Sequence, residues 1–203
     1  MGDSNETKEK IITSALKLFA KKGYNGTTTS EIAKDSGVSE GTIFKYYQTK
    51  KNLLDCVLQK IINTILPGII FSNNLDFSQF NNPQRTQQYL KEVLIHKISQ
   101  IKENFSAVRV LVSELQYHED LKKNYVNQLI SGVFNMIESY YEQGVQEGAF
   151  RKIDSHIAAR SCWGAIAAMV LENVVMKKNI DFDKELNVIF DLFYYGFGTR
   201  KEG

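Results

Sequence analysis

Apolar residues recur along this chain at the three-and-four spacing of an amphipathic helix, almost from end to end. Ile12, Ala15, Leu16 and Phe19 form a first stripe, with Ile11 and Leu18 beside it. Lys21 and Lys22 follow, where cations favour the carbonyl end of a helix, and Gly23 offers a left-handed stop. Tyr24 is placed to fold back onto Phe19. Thr28 stands three residues before Glu31, a capping box in which each side chain satisfies the other's orphan backbone donor. Ile32 and Ala33 give this second, short helix its buried face, and Gly37 closes it. Ser39 caps a third helix over Glu40 to Tyr46, with Ile43 and Tyr47 facing inward.

Thr49 caps a long fourth helix, apolar along Leu54, Val57, Leu58, Ile61, Ile62 and Ile65 and expected to end at Pro67-Gly68. Residues 67–85 are rich in Asn, Ser and Gln and read as a loop or broken helix, which Phe71, Phe77 and Phe80 would pack down. Periodicity then resumes. Leu90, Val93, Leu94, Ile98 and Ile101 predict a fifth helix, and Val108, Leu111, Val112 and Leu115 a sixth. Val126 through Tyr141 predicts a seventh ending near Gly148, Asp154 caps an eighth reaching about Met176, and Leu186 to Phe197 makes a ninth. No alternating run argues for a strand. The pattern therefore specifies an all-α chain of about nine helices, with a three-helix domain over 1–52 and a larger helical domain over 53–203.

Composition narrows the class only a little. The 203 residues are 43% hydrophobic, ordinary for a globular protein, and Pro67 and Pro83 are the only prolines. No stretch is expected to approach the roughly 20 apolar residues that span a bilayer, and the polar, acidic start is unlike a secretory signal. Cys56 and Cys162 sit in apolar helical patterns and read as free thiols in a reducing cytoplasm. Charge is uneven. Residues 1–52 hold nine lysines against six acidic residues, a net of +3, which leaves −1 for the rest of a chain whose total is +2. A positive end on a slightly acidic body suits a polyanion partner.

Two helices of about two turns each, joined by Asp-Ser-Gly-Val, make a helix-turn-helix pattern in which Val38 plugs the angle. A helix of the third one's length fits the major groove and presents its N-terminal residues to base edges. Gly41 allows close approach to DNA, Thr42 can bond phosphate or touch a thymine methyl, Lys45 can read guanine or pair with phosphate, and Tyr46 can donate its hydroxyl to phosphate. Thr28 and Lys50 lie at helix N-termini that favour phosphate. Ser39 and Glu40 have simpler uses, as a cap and as an acid in a helix's first turn. The segment from Thr27 to Ala33, the segment from Gly37 to Tyr47, Lys50-Lys51-Asn52-Leu53-Leu54 and the Phe19-to-Tyr24 helix ending together resemble the tetracycline-repressor (TetR) family. Phe44 stands where that family commonly has tyrosine, and Asn52 where it commonly has an acid. The resemblance implies a DNA-binding surface from Thr28, Ser30, Ser39, Glu40, Gly41, Thr42, Phe44, Lys45, Tyr46 and Lys50, and a homodimer on a palindromic operator.

In the larger domain the resemblance is one of outline, carried by Gly144-Val145-Gln146-Glu147-Gly148-Ala149-Phe150 before an Asp-capped helix. It implies a dimer interface built from the last two helices, assigned to Ala158, Cys162, Ala165, Met169, Phe190, Phe193, Tyr194 and Phe197. It also implies a pocket for a small-molecule effector, for which composition offers Phe105, Arg109, Glu114, Tyr117, Phe134, Tyr140 and Trp163. Effector binding would shift the fourth helix and change the separation of the two reading heads, releasing DNA. No cofactor, metal or membrane partner is expected, and catalysis finds no support: His96, His118 and His156 are scattered, and no phosphate loop or nucleophile elbow appears. The competing function is DNA binding without small-ligand control, which a filled interior in the second domain would favour.

Overall fold

Local capping chemistry opens the helices of the computed structural model, which describes residues 2–71, 75–114, 127–174 and 178–197 and the single positions Tyr117, Glu119, Lys123 and Met176. Leu115, His118, Asp120 and Val126 lie outside the described residues, as does the side chain of Phe197. Helix α1 runs Gly2–Lys22, α2 Thr29–Ser36 and α3 Glu40–Tyr46. The Thr28–Glu31 capping box is present in both directions, and the Ser39 and Thr49 hydroxyls accept from Thr42 N and Asn52 N at 3.1 and 3.0 Å. Asn52, in place of an acid, still closes the Thr49 cap by accepting that hydroxyl's proton at 2.8 Å.

Helix α4 is Lys50–Ile70. It does not stop at Pro67, as the sequence suggested. Proline removes one hydrogen bond and its ring clashes with the carbonyl four residues back. Here Ile61–Ile65 form a π turn, and Leu66 N bonds to Ile61 O; widening the helix just ahead of the proline lets it continue. The resulting 21-residue helix is long and apolar enough to span a bilayer, contrary to the reading that no stretch approaches this. Its side chains have another use: Leu53, Leu54, Val57, Leu58, Ile61 and Ile62 are buried in the protein core.

A 3-10 turn at Phe77–Asn81 leads to α5, Pro83–Glu103, which starts on a proline whose missing donor would have been an orphan anyway. The Asn82 side chain caps it by accepting from Gln84 N. Then come α6 Phe105–Glu114, α7 Asn127–Gln146, α8 Ser155–Val174 and α9 Phe182–Phe197. Nine helices and no strand are thus found among the described residues, which establishes the all-α class.

The chain divides into two compact units, Met1–Gly68 with Glu103–Tyr125, and Ile69–Lys102 with Val126–Gly203. In the first, α1 packs on α2, α4 and α6. Its core is Ile11, Ala15, Phe19, Ile32, Ile43, Leu53, Val57, Leu58 and Val110. The buried face of α1 is turned slightly from the expected stripe, since Ile11, Ala15 and Leu18 are buried whereas Ile12 and Leu16 are only half-buried. Buried Thr27 donates to Gly23 O at 2.9 Å, and Tyr24 meets Phe19 edge to face at 5.5 Å. Lys50 ties the same loop to the start of α4: its ammonium donates to Tyr24 O and Thr27 O, both at 2.7 Å, and lies 4.2 Å from the Tyr24 ring centre.

In the second unit α7 packs along α8, and α8 against α9. Gly144 is where a side chain cannot be accommodated, because a Cβ there would fall 2.2 Å from the Phe150 ring. Phe150 folds over that glycine and stacks on Tyr141, centroids 5.4 Å apart and planes 4° from parallel. The Tyr141 hydroxyl donates to Arg151 O at 2.6 Å, and Asp154 then caps α8 through Ile157 N at 2.9 Å.

Two substitutions isolate these devices in urea unfolding. Gly37 sits at φ 72° and an added Cβ would meet nothing within 4 Å. Gly37→Ala should therefore cost only the left-handed backbone penalty, about 1–2 kcal/mol, with Gly37→Asn recovering part of it. Lys50→Met should cost about 2 kcal/mol through the two carbonyls it leaves without their cation.

Candidate nucleic-acid interface and effector cavity

The reading surface grows from the caps already described. Thr28 and Ser39 are exposed at the starts of α2 and α3, each hydroxyl accepting a backbone amide. Ser30 and Gly41 are exposed beside them, and Thr42 is half-buried with its hydroxyl 2.8 Å from that of Ser39. The Glu40 carboxylate accepts a short hydrogen bond from the Thr29 hydroxyl, so it locks the N-terminus of α3 to that of α2. This is structural work for a group also considered as a base reader. Glu31, the other acid in the region, is held below the usual carboxylate range by hydrogen bonds from the Lys22 ammonium and the Thr28 amide.

Along α3, Ile43 faces the core and its neighbours face out. Phe44 is 45% exposed, an aromatic placed for apolar contact with sugar or a thymine methyl where tyrosine would hydrogen-bond phosphate. Lys45 is exposed and Tyr46 half-buried. The Tyr46 ring lies between two ammonium groups, Lys8 at 5.5 Å and Lys45 at 5.8 Å from its centre. Lys8 belongs to α1 and was not singled out in the sequence, because only the fold brings it beside the third helix. All the candidate DNA contacts thus fall on one unit, around the N-termini of α2, α3 and α4, with cations set at their flank. Two of the three Lys50 donors are already engaged with Tyr24 and Thr27, which leaves its backbone amide and a third proton for phosphate.

The second unit contains a partly open cavity of about 320 Å³, within the range of small-molecule sites. Its wall comes from every helix of the unit: Ile69 and Ile70 at the end of α4, Val93, Lys97 and Ile101 on α5, Ile137 and Tyr140 on α7, Trp163 and Ile166 on α8, and Phe190 and Phe193 on α9. Of the residues proposed from composition, Tyr140 and Trp163 line it. Phe134 is on α7 but lies instead by the His156 ring, 6.0 Å away. Phe105, Arg109, Glu114 and Tyr117 fall in the other unit, with Arg109 exposed and Tyr117 74% exposed.

Six of the residues assigned to a dimer interface face the interior of this unit. Cys162, Phe190, Phe193 and Tyr194 line the cavity, and Ala158 and Met169 are buried. Ala165 is half-buried and Phe197 ends α9. Burial pushes the Cys162 thiol up to about 12, so it is a neutral wall group. What the two helices expose is a different face, carrying Ile157, Gly164, Ala168 and Leu171 on α8 and Val188, Leu192 and Tyr195 on α9. Helix α8 is apolar nearly all round, which is how one helix serves both sides.

Comparison with known proteins agrees with both halves. The model of the bacterial regulatory proteins of the TetR family matches residues 11–57, and that of the YsiA-like C-terminal region matches residues 74–196. The fatty acid metabolism regulator protein of Bacillus subtilis is 22% identical over 191 residues, 94% of this chain and 95% of that protein. The solved fatty acid degradation regulator FadR of Bacillus halodurans superposes with a TM-score of 0.63 at 20% identity, covering 92% of this chain and 94% of that one. The TetR-family regulator PfmR of Thermus thermophilus gives 0.67 at 17% identity over 94% and 99%. The matches to both units, together with the helix-turn-helix geometry, show that the chain belongs to the TetR family of DNA-binding transcriptional regulators.

Proposed function

We propose that this protein is a homodimeric repressor of the bacterial cytoplasm, bound to a palindromic operator until an elongated apolar effector enters the cavity. The cavity carries the reading. A protein with no ligand to sense gains nothing from keeping such a space among large apolar side chains, where filling it would add stability. The relatives named for fatty acid metabolism and degradation support an effector that contains an acyl chain. Ile69 and Ile70 put the last turn of α4 in the cavity wall, and α4 is the helix that begins directly after the recognition helix α3. An effector that displaces this turn would act on the helix that carries the reading head.

The dimer is assigned to the exposed face of α8 and α9. Leu192 and Tyr195 are 69% and 64% exposed, and the small residues Gly164 and Ala168 allow close helix approach. A two-fold axis through that face would pair two copies of each helix. For matched half-sites the two recognition helices must then lie about 34–36 Å apart, or a multiple of that.

Selection of genomic fragments by the purified protein at two salt concentrations tests the function. A palindrome that survives the higher salt is expected; purely salt-sensitive, sequence-blind capture would contradict it. On the selected site, Lys8→Ala should weaken binding similarly for all sequences and lower the salt slope by about one unit. Lys45→Ala should in addition relax base preference. Leu192→Glu should convert the dimer to monomer in sedimentation velocity, and a variant that stays dimeric would move the interface elsewhere.

A further inference from the structure

The apolar stripe of α5 that faces the cavity runs Val93, Leu94, Lys97, Ile98 and Ile101, and a lysine occupies its centre. This position would ordinarily be leucine or isoleucine. Lys97 is half-buried, and its ammonium donates to Ile69 O at 2.8 Å and to Ile70 O at 3.1 Å. Those carbonyls belong to the last residues of α4, so the lysine acts at the C-terminal end of that helix, where cations are favoured.

We infer that Lys97 reads the effector: its ammonium exchanges the α4 carbonyls for the acidic head of a straight-chain carboxylic acid whose chain fills the cavity. This rests on the cavity being an effector site for an apolar chain. Desolvation disfavours a cation in an apolar wall, and burial indeed lowers the Lys97 pKa. Carbonyl dipoles compensate that cost in part, whereas a carboxylate supplies a full opposite charge in a charge-assisted hydrogen bond. Among the described residues that line the cavity there is no Asp or Glu, so an incoming anion meets no like charge. The Cys162 thiol is neutral, and Lys97 is the one charged side chain in that described lining. An ammonium that turns to the acid gives up bonds to the end of α4, so binding of the acid is coupled to loosening of that turn.

Trp163 lines the cavity and is the only tryptophan in the chain, so its fluorescence reports occupancy directly. Dodecanoate and 1-dodecanol share a chain and differ in charge; each is titrated, below its aggregation limit, into the dimeric wild-type protein and into Lys97→Met and Lys97→Arg. The expected result is that wild type binds dodecanoate about tenfold or more tightly than dodecanol. Lys97→Met should lose that preference while still binding dodecanol, and Lys97→Arg should restore it. Equal affinities in wild type, or an undiminished preference for the acid in Lys97→Met, would leave Lys97 a helix cap and overturn the inference. If neither compound perturbs Trp163, the reading of the cavity as an acyl-chain site fails, and the role of Lys97 fails with it. Dodecanol binding with no preference for the acid keeps the first and sinks only the second.

Discussion

Protein interiors pack as densely as organic crystals, and space left among apolar side chains forfeits dispersion contacts and costs stability roughly in proportion to its volume. The second unit of this chain is organised around that constraint. Five helices converge on a cavity of about 320 Å³ walled by isoleucine, leucine, phenylalanine and tyrosine. A matching apolar molecule recovers contacts that the side chains cannot make with one another. The same convergence determines which helix faces are left outside. Once α8 and α9 have turned Cys162, Trp163, Phe190 and Phe193 inward, their remaining apolar residues, Ile157, Leu171, Val188 and Leu192, are left exposed on the outer face.

The first unit follows the opposite rule. Its core is filled by Ile11, Ile32, Ile43, Leu53 and Leu58, each nearly inaccessible to solvent, and burial of such side chains contributes about 1.5–3 kcal/mol apiece. That packing, with the Lys50 staple and the Thr29–Glu40 bond, fixes the N-termini of α2 and α3, where amides and hydroxyls point outward. Rigid presentation suits a surface that reads base edges, because a hydrogen bond misplaced by an ångström discriminates nothing. Helix α4 belongs to this core through Leu53 to Ile62, and its final residues, Ile69 and Ile70, belong to the cavity wall. Its π turn, Ile61–Ile65, begins at the end of the first stretch and precedes the second, a feature often found where a helix does functional work.

The parts of this design that were legible in the sequence are the local ones. A threonine three residues ahead of a glutamate, or a glycine after a helical stripe, specifies a helix end whatever the rest of the chain does. The starts of α2, α3, α4 and α8 were accordingly readable, and with them the positions of Thr28, Ser39, Lys45 and Tyr46. What was hidden depends on distant partners. Pro67 signals a helix end unless a π turn precedes it, and nothing in Ile-Ile-Asn-Thr-Ile announces one. Glu103–Tyr125 joins the first unit although it is remote from it in sequence. Helix α8 is apolar all round, so periodicity could not say whether Cys162 and Met169 or Gly164 and Leu171 face a partner. Lys8 and Lys97 resembled any other lysine, since the groups that give them meaning, the Tyr46 ring and the α4 carbonyls, are brought to them only by folding.

The central claim is that cavity and DNA surface are linked through one equilibrium, and linkage is reciprocal: an effector that weakens operator binding must itself be weakened by operator to the same factor. The most direct test measures dodecanoate affinity by Trp163 fluorescence with and without saturating operator, and operator affinity with and without saturating dodecanoate. The account predicts that both affinities fall, and by equal factors. Ligand binding that is indifferent to DNA, with DNA binding indifferent to ligand, would contradict it.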